Sequence, residues 1–129
     1  MPTWLYRYFG NWPNIRLYNP SSNPAYAGQV LSEGSGANHG SDLEMVFGNP
    51  SGVSGLADTA PEKEMISIMQ GAWAAFAKDP VNGLKAYGWP KYVNGKDTLI
   101  RLAYNNNPKA EFINGQAYFD GCANYTPTA

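Results

Sequence analysis

The chain holds one histidine, His39, and one cysteine, Cys122. Histidine is the side chain whose ordinary pKa lies near neutrality, so the His39 imidazole can take a proton and return it. It stands in Gly36-Ala37-Asn38-His39-Gly40-Ser41-Asp42, where small neighbours leave room around the ring. A base of this kind works with a nucleophile and with an acid that orients it. Asp42 is too close in sequence to be a secure orienter, and Ser41 has no nucleophile context. Spacing alone therefore favours a solvated loop histidine. The nucleophile elbow Gly-x-Ser-x-Gly is absent. Gly34-Ser35-Gly36 and Gly52-Val53-Ser54-Gly55 set serine among glycines at the wrong spacing and read as flexible loop. One histidine, one cysteine and scattered carboxylates give no paired ligand spacing, so no metal is expected. No cofactor is expected either, because Gly10, Gly28, Gly34 and Gly36 lack the following helix that would make a phosphate loop. Trp12, Tyr87, Trp89 and Tyr92 flank turns, where aromatic faces can stack on sugar rings, although closing a core is the commoner use.

Elements must position these residues. Residues 3–9, TWLYRYF, read as a short aromatic strand closed by Gly10. Trp4, Tyr6 and Tyr8 point to one face, Leu5, Arg7 and Phe9 to the other. Few polar side chains sit on either face, as in a strand covered on both sides. Residues 10–40 are rich in Asn, Pro, Ser and Gly and read as a long loop, with short turns near 26–31. Loops beyond about 12–15 residues are usually functional or disordered. A short helix is expected over 41–47, capped by Ser41 or Asp42, then a second loop over 48–58. The clearest element spans 60–78. Ile66, Met69, Trp73 and Phe76 recur at the spacing of an amphipathic helix, with Trp73 at its buried centre. Thr59 and Glu62 fit a capping box, Pro61 sits in the first turn, and Asp79-Pro80 stops the helix. Gly71 costs about 1 kcal/mol against Ala in a helix, so it implies the close approach of another backbone. Further strands are expected over 99–104 and 110–113, and a polar tail from 120 to 129.

Composition narrows the class. The 129 residues are 43% hydrophobic and 15% charged with a net charge of −1, which describes one globular domain or a piece of one. No basic excess exists to neutralise phosphates, so nucleic acid is not the partner. The longest apolar run falls far short of the ~20 residues that span a bilayer. The first 16 residues lack a charged start and an apolar block, so they are not expected to act as a signal peptide. Asn124-Tyr125-Thr126 is the one N-glycosylation sequon. One long helix and two or three strands must cover an aromatic load of 14%. Strands apolar on both faces need layers on both sides, so the chain is expected to be part of a larger α/β fold and to expose an apolar patch by itself.

Three stretches carry a likeness that no single residue does. Trp4-Leu5-Tyr6-Arg7-Tyr8-Phe9-Gly10-Asn11 is similar to a last long core strand leading to a catalytic-histidine loop. The run Gly36-Ala37-Asn38-His39-Gly40-Ser41-Asp42-Leu43-Glu44-Met45-Val46-Phe47-Gly48 is similar to the histidine motif of the same proteins, ending in Val-Phe-Gly. Gly71-Ala72-Trp73-Ala74-Ala75-Phe76-Ala77-Lys78-Asp79-Pro80, followed by Gly88-Trp89-Pro90-Lys91-Tyr92 and Thr98-Leu99-Ile100-Arg101-Leu102, is similar to their terminal helix and the segment beyond. Together they resemble the C-terminal portion of fungal type-B carboxylesterases/lipases, the cholinesterase-like branch of the α/β-hydrolase fold.

The resemblance implies that residues 1–129 form the C-terminal segment of such a domain, and that His39 is the histidine of a catalytic triad. The family's nucleophilic serine, its acid and its oxyanion-hole glycines lie upstream of this segment. It implies a serine esterase acting on a small ester substrate once joined to the missing N-terminal part of the hydrolase, and an isolated chain that is inactive. Members of this family are often secreted. An aromatic-rich carbohydrate-binding module and a non-catalytic interaction module are the rival readings.

Overall fold

Helix formation is decided most clearly at Thr59. In the computed structural model, which describes residues 2–15 and 37–119, the Thr59 hydroxyl accepts the Glu62 N–H at 3.3 Å. The Glu62 carboxylate in turn accepts the Thr59 N–H at 3.0 Å. This reciprocal box satisfies two amide donors that a helix start otherwise leaves unpaired. The helix is the longest of five among the described residues. They are α1 (Ser41–Phe47), α2 (Pro50–Ser54), α3 (Ala60–Lys78), α4 (Gly83–Ala86) and α5 (Gln116–Phe119). α3 stops at Asp79, whose carboxylate accepts the Val81 and Asn82 N–H groups at 3.0 Å each and holds the turn before α4.

Three strands, β1 (Tyr6–Tyr8), β2 (Asp97–Leu102) and β3 (Ala110–Asn114), form a sheet in the order β1-β2-β3. β1 runs parallel to β2, with Arg7 opposite Arg101, and β3 returns antiparallel to β2. Trp4, Tyr6 and Tyr8 turn to the α3 side, as alternation requires. There Tyr6 meets Trp73 edge-on at 5.0 Å, and Tyr8 packs on the core. Arg7 lies on the other face, its guanidinium over the rings of Tyr118 (4.5 Å) and Phe9 (5.4 Å). The core gathers Trp12, Met45, Met65, Met69, Ala72, Ile100 and Leu102 between α1, α3 and the sheet. Three methionines at full burial give this layer flexible filling. The architecture is mixed α/β.

Several expectations shift. The strand over 3–9 contracts to Tyr6–Tyr8, although pairing continues at both ends. The Tyr92 N–H donates to the Thr3 carbonyl at 2.8 Å, and the Phe9 N–H to the Leu102 carbonyl at 2.9 Å. The loop over 48–58 contains α2, for which Pro50 supplies a first-turn residue with no amide to satisfy. The strand over 99–104 begins at Asp97 and ends at Leu102, because Ala103 turns left-handed at φ +56°. The turns near 26–31, the tail 120–129, Cys122 and Asn124 lie outside the described residues, as does most of the 10–40 loop.

The α3 stripe is corrected most. Met65, Ile66, Met69 and Ala72 are buried, but Trp73 is half-buried and Phe76 is 45% exposed. The close backbone approach also falls elsewhere. A side chain, Tyr87, closes over Gly71 and donates its hydroxyl to the Ile68 carbonyl at 3.0 Å. Backbone meets backbone at Gly83, which lies against the Ala75 carbonyl with no room for a Cβ. Leu43 and Phe47 of α1, and Val53 and Leu56 in and after α2, are exposed.

Candidate active site

His39 sits on a turn built for it by the chain on both sides. The Ser41 N–H donates to the Asn38 carbonyl at 3.1 Å, and the Leu43 N–H to the Gly40 carbonyl at 3.0 Å. Gly40 takes φ +83°, a conformation that residues with a Cβ rarely adopt, and so lets the chain pass from His39 directly into α1. The imidazole is exposed and makes no hydrogen bond among the described residues. Ser41, two residues on, points the other way. It is 4% exposed, and its hydroxyl oxygen is buried without a hydrogen-bond partner among the described residues.

Two residues past Gly40 lies the contact that ties this turn to the sheet. The Tyr6 hydroxyl donates to the Asp42 carboxylate at 2.6 Å. Partial burial, followed by this bond to an acid, lifts the Tyr6 phenol well above its usual range, so it stays a donor throughout the physiological range. β1 and the start of α1 are therefore pinned together across the histidine turn. A second tether lies beneath it, where the Trp12 indole N–H donates to the Tyr8 hydroxyl at 2.7 Å. Gly10 is buried against these two side chains, so the chain can leave the strand only where it has no Cβ.

Carboxylates collect on this side of the sheet. Glu62 is fully buried, and its Oε1 accepts no well-formed hydrogen bond among the described residues; burial raises its pKa, opposed by the bond from the Thr59 amide. Burial also raises Glu44. Asp58 is held by the Asn14 amide at 2.8 Å. The ion pair seen among the described residues, Arg101 with Glu111 at 2.9 Å, is on β2 and β3. Asp42 thus serves Tyr6 and does not orient His39.

Of the serines set among glycines, Ser54 is engaged at the end of its own helix. The Ser54 hydroxyl donates to the Pro50 carbonyl at 2.9 Å and accepts the Leu56 N–H at 3.1 Å, which closes the end of α2. Ser35 lies outside the described residues. Among the described residues no three His, Cys, Asp or Glu side chains gather as a metal site, and no helix is long and apolar enough to cross a membrane. The turn aromatics do not form a common platform. Trp12 and Trp89 are buried, Tyr87 meets Trp89 edge-on at 5.9 Å, and Tyr92 bonds to Asn94.

A cavity of about 320 Å³ opens beside β1, between Trp4 and Tyr6 of the strand side, Trp73 and Phe76 of α3, and Trp89. Its indoles stand at right angles, Trp73 to Trp89 at 6.2 Å. The Trp4 indole N–H is spent on the Trp89 carbonyl at 3.3 Å, which leaves an apolar wall. Tyr6 joins the two places, with its ring in the cavity wall and its hydroxyl on Asp42.

Comparison with known proteins decides what kind of chain this geometry belongs to. The model of the carboxylesterase family matches residues 1–119. The chain belongs to the carboxylesterase family. Over 114 residues this carboxylesterase-family chain is also 32% identical to secreted lipase 5 of Gibberella zeae, a match that covers 85% of the chain and 18% of the lipase. It therefore spans less than a fifth of that relative's length. No solved structure matches it.

The resemblance to type-B carboxylesterases is thus met in a chain whose fold is mixed α/β. The sequence pointed to His39 and to the faces of the strand, but it gave no sign of the Tyr6–Asp42 bond. The alternation of Trp4, Tyr6 and Tyr8 puts Tyr6 on the α3 side, and only the docking of α1 against that side supplies its acceptor.

Proposed function

We propose that this chain is the C-terminal segment of a serine ester hydrolase of the carboxylesterase/lipase type, and that His39 is its general acid–base. The observation that carries the reading is the His39 turn itself. An imidazole that makes no hydrogen bond among the described residues stands on a turn pinned to the sheet by Tyr6 and Asp42, in a chain of the carboxylesterase family. In the reaction a serine oxygen attacks the ester carbonyl while the imidazole takes the serine proton. The imidazole then gives that proton to the leaving alcohol as the acyl-enzyme forms, and water, deprotonated by the same ring, releases the acid. The serine, the orienting acid and the oxyanion donors come from upstream chain, and the substrate is a small ester. Taken alone, the 129 residues supply a base without a nucleophile.

The test is a chimera in which this chain replaces the matching segment of the Gibberella zeae lipase. His39→Ala in that chimera lowers kcat by about 10⁴-fold or more with an unchanged circular dichroism spectrum, because triad members act as a unit. The isolated chain hydrolyses p-nitrophenyl esters no faster than free imidazole. Saturable esterase activity from the isolated chain, blocked by a serine-directed phosphonate, would overturn the proposal.

A further inference from the structure

Asparagine is one of the thermolabile residues of proteins, and most so before glycine. There the next amide nitrogen reaches the asparagine side-chain carbonyl with no Cβ in its way. Three such pairs occur in the sequence: Asn82-Gly83, Asn94-Gly95 and Asn114-Gly115. As dipeptides they are equivalent. The fold treats each of them differently.

Gly83 opens α4, where its N–H donates to the Asp79 carbonyl at 2.8 Å, and it is pressed against the Ala75 carbonyl of α3. Asn114 is tied through both ends of its side chain. Its Nδ2 donates to the Gly95 carbonyl at 3.3 Å, and its Oδ1 accepts the Gln116 N–H at 3.0 Å. Gly115 is buried beneath the Phe119 ring. The Asn94-Gly95 turn has neither restraint. Both residues are exposed, and Gly95 takes φ +74° with open space where a Cβ would stand. Its N–H has no hydrogen-bond partner among the described residues, because the turn is closed around it by the Lys96 N–H on the Val93 carbonyl at 3.1 Å. The Tyr92 hydroxyl donates to Asn94 Oδ1 at 3.3 Å, which polarises the carbonyl that an attacking nitrogen would meet.

We propose that Asn94 is a self-modification site of this chain, converted to aspartate and isoaspartate through a cyclic imide with Gly95. Hydroxide takes the Gly95 N–H proton, and the nitrogen attacks Asn94 Cγ. The new N–Cγ bond closes a five-membered ring as the side-chain nitrogen leaves as ammonia. Water then opens the ring. Addition at Cγ leaves an ordinary chain with aspartate at 94, while addition at the backbone carbonyl carbon routes the chain through Cβ and leaves isoaspartate. Nothing is oxidised or reduced, and the inference is independent of the role of His39. Either product sets a new carboxylate close to Asp97 at the head of β2, and isoaspartate also lengthens the turn by one methylene. The turn is held at Val93, whose N–H donates to the Thr98 hydroxyl at 2.8 Å, and at Gly95 by Asn114. Modification at Asn94 therefore loosens the start of β2 against the end of β3.

Peptide mapping by mass spectrometry tests this on the whole chain, held at mildly alkaline pH in buffer and, in parallel, in concentrated urea. In buffer the Asn94 peptide deamidates at least ~10-fold faster than the Asn82 and Asn114 peptides, which must first open their local structure. Isoaspartate accumulates at 94, and ammonia is released in proportion. In urea the three rates converge to within about 3-fold, because each asparagine then has only its glycine. Deamidation at Asn82 or Asn114 that keeps pace with Asn94 in buffer overturns the proposal. A lead for Asn94 that persists undiminished in urea overturns it as well, since such a lead owes nothing to the fold.

Discussion

The two halves of α3 share one helix and one hydrophobic period, yet only the first half is closed. From Glu62 to Met69 the helix is sealed by α1 and the sheet, with Met65 and Met69 at zero exposure. From Trp73 to Lys78 the same stripe faces the cavity, and Phe76 keeps nearly half its surface in solvent. Periodicity records which face of a helix is apolar. It does not record what covers that face, which depends on chain far away in sequence.

That contrast is sharpest in stability. Met69→Ala removes a fully buried side chain from the closed half and should cost about 2–5 kcal/mol, read as a shift in the urea midpoint. A cost below about 1 kcal/mol would mean the first half is as open as the second. Gly83→Ala tests the one side of the second half that is covered, because the added Cβ meets the Ala75 carbonyl where α4 lies on α3. Overpacking of this kind costs about 1–3 kcal/mol, and differential scanning calorimetry should show the lowered melting temperature.

Glu62 gives the closed half a pH signature. Its folded pKa is raised by burial, so the folded state holds the proton more tightly than the unfolded state. Stability is then greatest when Glu62 is protonated. It falls as pH rises from the ordinary carboxylate value of 4.5 through the raised folded value, and levels off above it. Glu62→Gln keeps the capping box, since Gln serves at that position. The variant should lose the Glu62 part of the slope and keep the part due to Glu44, which is raised in the same sense. Urea midpoints between pH 4 and 8 would show it; equal slopes in both proteins would place the Glu62 carboxylate in water.

The smallest effect belongs to the open half. Phe76→Ala in the isolated chain should change stability by less than about 1 kcal/mol, because the ring already spends much of its surface in solvent. A cost like that of Met69→Ala would show the cavity closed, and the two halves alike.

The candidate site divides along the same line. His39 was recognisable from its chemistry and from the small residues around it, and the strand faces followed from simple alternation. The acceptor of Tyr6 was not legible, because Asp42 reaches it across 36 positions of sequence. Spacing offered Asp42 as a poor orienter for His39, and the structure gives it a different task. Gly71 has the position expected for a close backbone approach, yet that approach formed at Gly83, whose backbone neighbour Ala75 is on another helix.

What the sequence determined by itself is local. The capping box at Thr59, the stop at Asp79, the apolar stripe and the glycine after His39 all act within one or two turns of chain, through hydrogen bonds and backbone preferences that need no distant partner. The tertiary structure decided everything that depends on who lies opposite: the burial of Met69 against the exposure of Phe76, the bond from Tyr6 to Asp42, and the raised acid of Glu62. Burial and shifted acidity are set by the non-local surfaces that exclude water, and those surfaces exist only once the chain has folded back on itself.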